Sequence, residues 1–304
     1  MEFEDPLDYI KGISDTSSAL SAGVSKVVPT IQDDIFSAVM DLLSSLEKDS
    51  IGNIKSNVKN INTVAKIKSK LSNIILNDNY KKAVDKYLDG YSTLDKINES
   101  YLSTFDGFNA DKALYQSVKD LSIQTTKNSL LDTGLSEGVV NPLVKGITDV
   151  VSGGGTYKDL LNFVGVTIKG DDKNLGSLAK YTSQISTDAA YQYNRSYVAA
   201  VTNDLKIKWY LFEGSERKTT RYFCHLRKGG FFTKAEIEHW GKTPSLWISP
   251  DPKKWKGGGR IVATNSSNIF TLLGGYNCEH IPIPVSDKIV PKEDKDRAKR
   301  LGFS

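Results

Sequence analysis

The first 204 residues contain no histidine, no cysteine and no tryptophan. Two-thirds of the chain therefore lack the side chains that most often titrate or attack near neutral pH. Only carboxylate- or lysine-based chemistry is left to that part. Two cysteines in 304 residues exclude a scaffold built on disulfides. No run approaches the roughly 18 apolar residues of a membrane span, so none is expected. The acidic opening MEFEDPLDYIKG lacks the apolar stretch of a secretory signal, and none is expected there either. No phosphate-binding glycine loop, metalloprotease helix signature or nucleophile elbow occurs.

Hydrophobic residues make up 39% and charged residues 25%, which places the chain among folded proteins with room for two domains. The charge is unevenly spread. Residues 205–304 hold 19 Lys and Arg against 10 Asp and Glu, a balance of +9. The preceding 204 residues hold 21 against 26, a balance of −5, which returns the overall +4. All three His, both Cys, all four Trp and six of the nine Pro also fall after residue 204. A metal or nucleophilic site is therefore expected in the last third, and a basic segment suits a phosphate backbone or an acidic protein surface.

The first part reads as helical. Ile51, Ile54, Val58, Ile61, Val64, Ile67, Leu71 and Ile74 recur at steps of three or four, the period of one helix face. Ile31, Ile35, Val39, Leu42, Leu43 and Leu46 form another such set, opened by Pro29 and by Asp33 and Asp34. Tyr80–Tyr91, Leu114–Leu131 and Leu135–Val151 follow, with Gly134 as a stop and Ser152–Gly155 as the strongest breaker. Tyr157–Val164 reads as a short amphipathic helix and Leu175–Leu205 as a long one. Core packing of a bundle is the simplest use of these stripes. Residues 206–212, β-branched and aromatic, predict a strand, with Glu213-Gly214 as its turn.

The last third carries a Cys/His constellation. Residues i and i+2 of a strand share a face, so Cys278 and His280 are able to bind one ion. Cys224 supplies a third ligand, and His225 or His239 a fourth, for a tetrahedral structural zinc. Buried thiols that merely pack are the competing reading. Glu279, between two inward residues, is expected to face solvent. Trp209 and Trp240 sit in apolar patterns, whereas Trp247 and Trp255 lie in a Pro/Lys-rich loop and are expected at the surface. Lys206, Lys208, Arg217, Arg221, Arg227, Lys228, Lys253, Lys254, Lys256 and Arg260 would carry non-specific contact with double-stranded DNA. Pro291–Ser304, of mixed charge, predicts a short exposed helix.

From residue 175 onward the chain resembles the C-terminal region of tailed-phage minor head proteins, the Mu-F-like head-morphogenesis group. The resemblance rests on the helix YTSQISTDAAYQYNRSYVAAV, the strand with Trp209, and Thr220-Arg221-x-x-Cys224 leading to Gly229-Gly230-Phe231-Phe232. The segment Gly274–Ser286, GGYNCEHIPIPVS, closes it. It covers about the last 130 residues. Many members carry Cys-x-x-Cys and a final Cys-x-Cys; this chain has single cysteines and a final Cys-x-His. The resemblance implies a structural protein of the virion's capsid or neck, assembled in the host cytoplasm. Such a protein is associated with the portal or other head proteins and aids head assembly or DNA ejection.

The expected architecture is α+β. A helical region over 1–174 binds a partner, a long helix plus α+β module spans 175–286, and a charged tail fills 287–304. The chain is expected not to be an enzyme. The alternative is an enzyme or toxin-like module using the Cys/His cluster of residues 224–280.

Overall fold

The computed structural model describes residues 5–251, 253 and 259–303. The chain opens with α1 (Pro6–Ser25) and α2 (Val28–Ser44), the latter with Pro in its first turn. Next come α3 (Val58–Ile75), α4 (Asp78–Asp89), α5 (Tyr91–Leu102) and α6 (Ala113–Leu131). A short α7 (Thr133–Leu135) continues through a π turn into α8 (Asn141–Ser152), and α9 (Tyr157–Lys169) follows the Gly-rich break. A two-residue hairpin, β1 (Gly170–Asp171) and β2 (Asn174–Leu175), precedes α10 (Ser177–Asp204). The rest is β3 (Trp209–Gly214), α11 (Tyr222–His225), β4 (Phe231–Thr233), α12 (Lys234–Lys242), α13 (Ile269–Leu272), β5 (His280–Val285) and α14 (Lys292–Arg300). The protein is thus mostly helical, with a small α+β part late in the chain.

Several boundaries differ from the periodicity. Residues 51–57 are not helical: Ile54 and Asn53 are drawn into isolated bridges with Lys48 and Thr156. Helix α3 begins at Val58, capped by the Asn57 side chain on the Asn60 N–H. Its buried face is Asn60, Val64, Ile67, Leu71 and Ile75, while Ile51 and Val58 are exposed. Gly134 does not stop a helix but lies inside α7. Glu213 and Gly214 are not a turn either; they extend β3 and pair with Ile281 and His280.

By contacts, the residues sort into two compact units that do not follow chain order. One comprises Leu20–Leu88 and Gln124–Ser186. There α2, α3, α8 and α9 pack on one another through Ile31, Ile35, Ile67, Leu71, Ile147 and Leu160. The other comprises Met1–Ala19, Asp89–Ile123 and Thr187–Ser304. The expected division at residues 174 and 286 is therefore replaced by one that gathers three separated stretches.

The physical reason is a set of buried polar ties in the second unit. The Tyr9 hydroxyl donates to Asn98 Oδ1 at 2.7 Å, and Asn194 Nδ2 donates to both, at 2.9 and 2.7 Å. The Tyr101 hydroxyl, stacked beside Tyr9, donates to the Pro284 carbonyl of β5 at 2.6 Å. The tail belongs here too. Arg297 of α14 pairs with Glu236 and Asp294 and donates to the Phe231 carbonyl, so the helix is docked rather than free.

The sheet of this unit has the order β4-β3-β5, antiparallel throughout. β3 is central and nearly all buried. β5 is an edge strand, and its register places Pro282 and Pro284 opposite Phe212 and Tyr210. An edge tolerates proline where the missing N–H would point outward. Helix α12 is opened by a capping box between Thr233 and Glu236.

The phase of α3 is testable. Ile67→Ala, at a fully buried position, is expected to cost about 2–4 kcal/mol in denaturant unfolding. Val58→Ala, at 76% exposure, is expected to stay within about 0.5 kcal/mol. Equal losses would return the core to the face read from the sequence.

Candidate metal centre

Three ligand-bearing side chains meet in the second unit. Atoms of Cys224, Cys278 and His280 able to bind a metal all lie within 4.8 Å of one another, and all three residues are buried. Cys224 comes from α11, whose start is held by Arg221. The Arg221 guanidinium donates to the carbonyls of Gly274 and Tyr276 at 3.0 and 2.5 Å. Those bonds press the loop carrying Cys278 against α11. From the other side Arg195 of α10, 1% exposed, donates to the Thr271 carbonyl at 2.7 Å and to the Cys278 carbonyl. Asp188, about two turns earlier on α10, accepts the Asn277 N–H at 2.5 Å. Asn277 adopts a left-handed conformation, φ 55°, which turns the chain into β5.

His280 opens β5 opposite Gly214. A Cβ at Gly214 would come within 2.5 Å of the His280 Cα and 2.9 Å of its ring, so only glycine leaves room there. The ring lies near-parallel to Phe212, centroids 5.4 Å apart. Gly274 does the same for sulfur: a Cβ there would stand 2.5 Å from Cys224 Sγ and 2.7 Å from Cys278 Sγ.

The two sulfurs are 3.8 Å apart. A disulfide would need about 2.05 Å, so these are free thiols. Two sulfurs bound at about 2.3 Å to a tetrahedral zinc stand about 3.8 Å from each other. The spacing therefore matches one edge of such a site. The Cys224 thiol hydrogen-bonds to Cys278, pushing the Cys278 thiol down and its own up; burial adds to the rise at Cys224, and Arg195 adds to the fall at Cys278. A thiolate is thus favoured at Cys278 before any metal arrives, and a metal would take the place of the shared proton. Burial raises the Asp188 carboxyl to about 6, despite the Asn277 N–H and the nearby Arg195.

The other two histidines are placed elsewhere. His239, offered as a fourth ligand, sits on α12 with Nε2 3.3 Å from Thr243 Oγ1 and its ring against Phe303. His225 Nδ1 is 2.5 Å from Glu216 Oε1. Glu279 does not face solvent: it is 7% exposed and bound by Arg217 at 2.6 Å. Burial raises its carboxyl, and Arg217 offsets part of that rise. Trp247 is likewise not a surface residue; it is 2% exposed and stacked on Phe223 with centroids 4.0 Å apart. Trp209 and Trp240 are buried, as their patterns predict.

The cations assigned to DNA are mostly engaged inside the module. Arg217 holds Glu279, and Arg221 holds the cysteine loop. Arg227 is buried, donates to the Phe223 carbonyl at 2.7 Å and lies 3.9 Å over the Phe223 ring. Burial depresses its guanidinium to about 10. Lys228 stands between Glu213 and Glu216 at 3.8 and 3.6 Å. Arg260 donates to the carbonyls of Gly241 and Thr264 and lies over Trp247. Lys206, Lys208 and Lys253 are exposed. Lys254 and Lys256, with Trp255, lie outside the described residues.

Two consequences are measurable. Purified chain is expected to carry one zinc, to lose it in Cys224→Ser and Cys278→Ser, and to melt at lower temperature with chelator. Gly274→Ala, which puts a methyl against both sulfurs, is expected to weaken zinc binding at least tenfold while helical circular dichroism persists. Metal-free protein with two freely titrating thiols would remove the metal reading.

No protein-family model matches the chain, and neither a curated protein nor a solved structure matches it.

Proposed function

We propose that this chain is a minor structural protein of a tailed-phage head, of the Mu-F-like morphogenesis type, seated near the portal vertex. One observation carries the reading. The segments that bear the resemblance, far apart in sequence, are bonded to one another: Arg195 of the Tyr/Asn-rich helix reaches the Cys278 carbonyl, Arg221 reaches Gly274 and Tyr276, and Cys224 meets Cys278. Their polar groups hold a fold together. The cavity at their meeting point is only about 30 Å³, too small for an organic substrate. Both points favour a structural part over an enzyme or toxin-like one.

The role rests chiefly on protein contacts with the portal or other head proteins. Arg217, Arg221, Arg227, Lys228 and Arg260 are bound within the module, so duplex contact falls to the remaining lysines of the set. Ten phosphate contacts would give a log–log salt slope of about −9; five or fewer give about −4.5 or shallower. A shallow, sequence-independent slope that flattens further in Lys206→Glu/Lys208→Glu is the expected result of a filter-binding titration.

The virion role is tested by quantitative mass spectrometry and cross-linking of purified particles of the phage that encodes the chain. A few copies per particle, cross-linked to portal subunits, are expected. Absence from particles, or the copy number of a major capsid protein, would overturn the reading.

A further inference from the structure

We propose that a metal held by Cys224, Cys278 and His280 has an open fourth position, which takes water or a small anion in place of a side chain. The proposal rests on the metal reading above but not on the virion role. Among the described residues the ligand group stops at three. Neither Glu279, bound to Arg217, nor Asp188, bound to the Asn277 N–H, belongs to it. His225 and His239 are held by Glu216 and Thr243. The three ligands also form part of the wall of a cavity of about 30 Å³. That is room for one water, which needs about 10–15 Å³ of such space and two or more polar partners.

The remaining wall is polar: Arg217, Thr219, Thr220, Asn277 and Glu279 contribute to it. Arg217, Thr219 and Asn277 are exposed, so the cavity communicates with solvent. His280, 3% exposed, has no hydrogen-bond partner at Nε2. A buried ring nitrogen without a partner is costly unless something at the site binds it. Charge selects the ligand class. Two thiolates neutralise a divalent zinc, leaving a centre with no net charge beside the Arg217 guanidinium. A small anion is therefore accepted without like-charge repulsion, and because the two thiolates offset the charge that acidifies a zinc-bound water, a bound water would stay protonated at neutral pH. Glu279, on the same wall and fixed by Arg217, is placed to accept that water's hydrogen bond.

Cobalt(II) replaces zinc in such sites and reports its coordination by visible absorption. The full chain is loaded with cobalt, checked for the thiolate-to-cobalt charge-transfer band, and titrated with sodium azide and then with pH. The expected result is a saturable shift of the visible bands as azide displaces water. Without azide a single-proton pH midpoint is expected on the alkaline side of 7, because two thiolates offset the metal charge. His225→Ala and His239→Ala should leave both responses unchanged. Visible bands indifferent to azide and to pH would overturn the open position while leaving the metal site standing. A spectrum altered by either histidine substitution would overturn it by naming a fourth ligand. Absence of the charge-transfer band would overturn the metal site itself, and the open position with it. X-ray absorption of the zinc form supplies a second readout: two sulfurs, one imidazole and one further light atom are expected, against a fourth sulfur or imidazole.

Discussion

The guanidinium of Arg195 is the contact on which the α+β unit turns. An ion buried to 1% exposure is expensive unless its protons are used. Here Nη1 and Nη2 donate to the carbonyls of Thr271 and Cys278, the two ends of the loop that delivers a sulfur and then a strand, while Nε is buried without a partner. Position along α10 thereby sets the position of Cys278, and through the sheet register that of His280. Arg221 makes the reciprocal clamp from α11. Two arginines thus bring Cys224 and Cys278 together by holding backbone, which leaves the sulfurs free for other partners.

The Cys/His cluster was legible because it lies in the one part of the chain that has such residues. The route to it was only half right. Cys278 does not share a strand with His280; it precedes β5, in the turn set by Asn277 and its left-handed backbone. The roles of Arg195 and Asp188 were not read. Their only signal is that charged residues occupy inward positions of a long helix. His239 failed because the Thr233–Glu236 capping box fixes the start of α12 and turns that histidine toward Thr243.

The helical content was readable from spacing, as was the middle of the α3 face at Val64, Ile67 and Leu71; its two ends, where Asn60 and Ile75 are buried in place of Val58, Ile61 and Ile74, were not. Asn60 takes a core position because its amide donates to the carbonyls of Glu47 and Lys55 and its oxygen accepts the Glu47 N–H. A polar residue so fully bonded can displace a valine from the buried face, and apolar periodicity cannot see it. The basic balance likewise leaves out how much of it is spent inside the module. Counting cations says nothing of the carbonyls and of Glu213, Glu216 and Glu279 that already hold them.

The prolines of β5 have a consequence for crowded surroundings. A sheet edge with free donors and acceptors is a template on which another chain can add a strand, and burial of the β5 residues already limits access to this one. At this edge two of the outward donors are absent, at Pro282 and Pro284, and the Pro284 acceptor is already taken by Tyr101. Neighbouring copies therefore find no ladder to extend on the β5 side of the sheet.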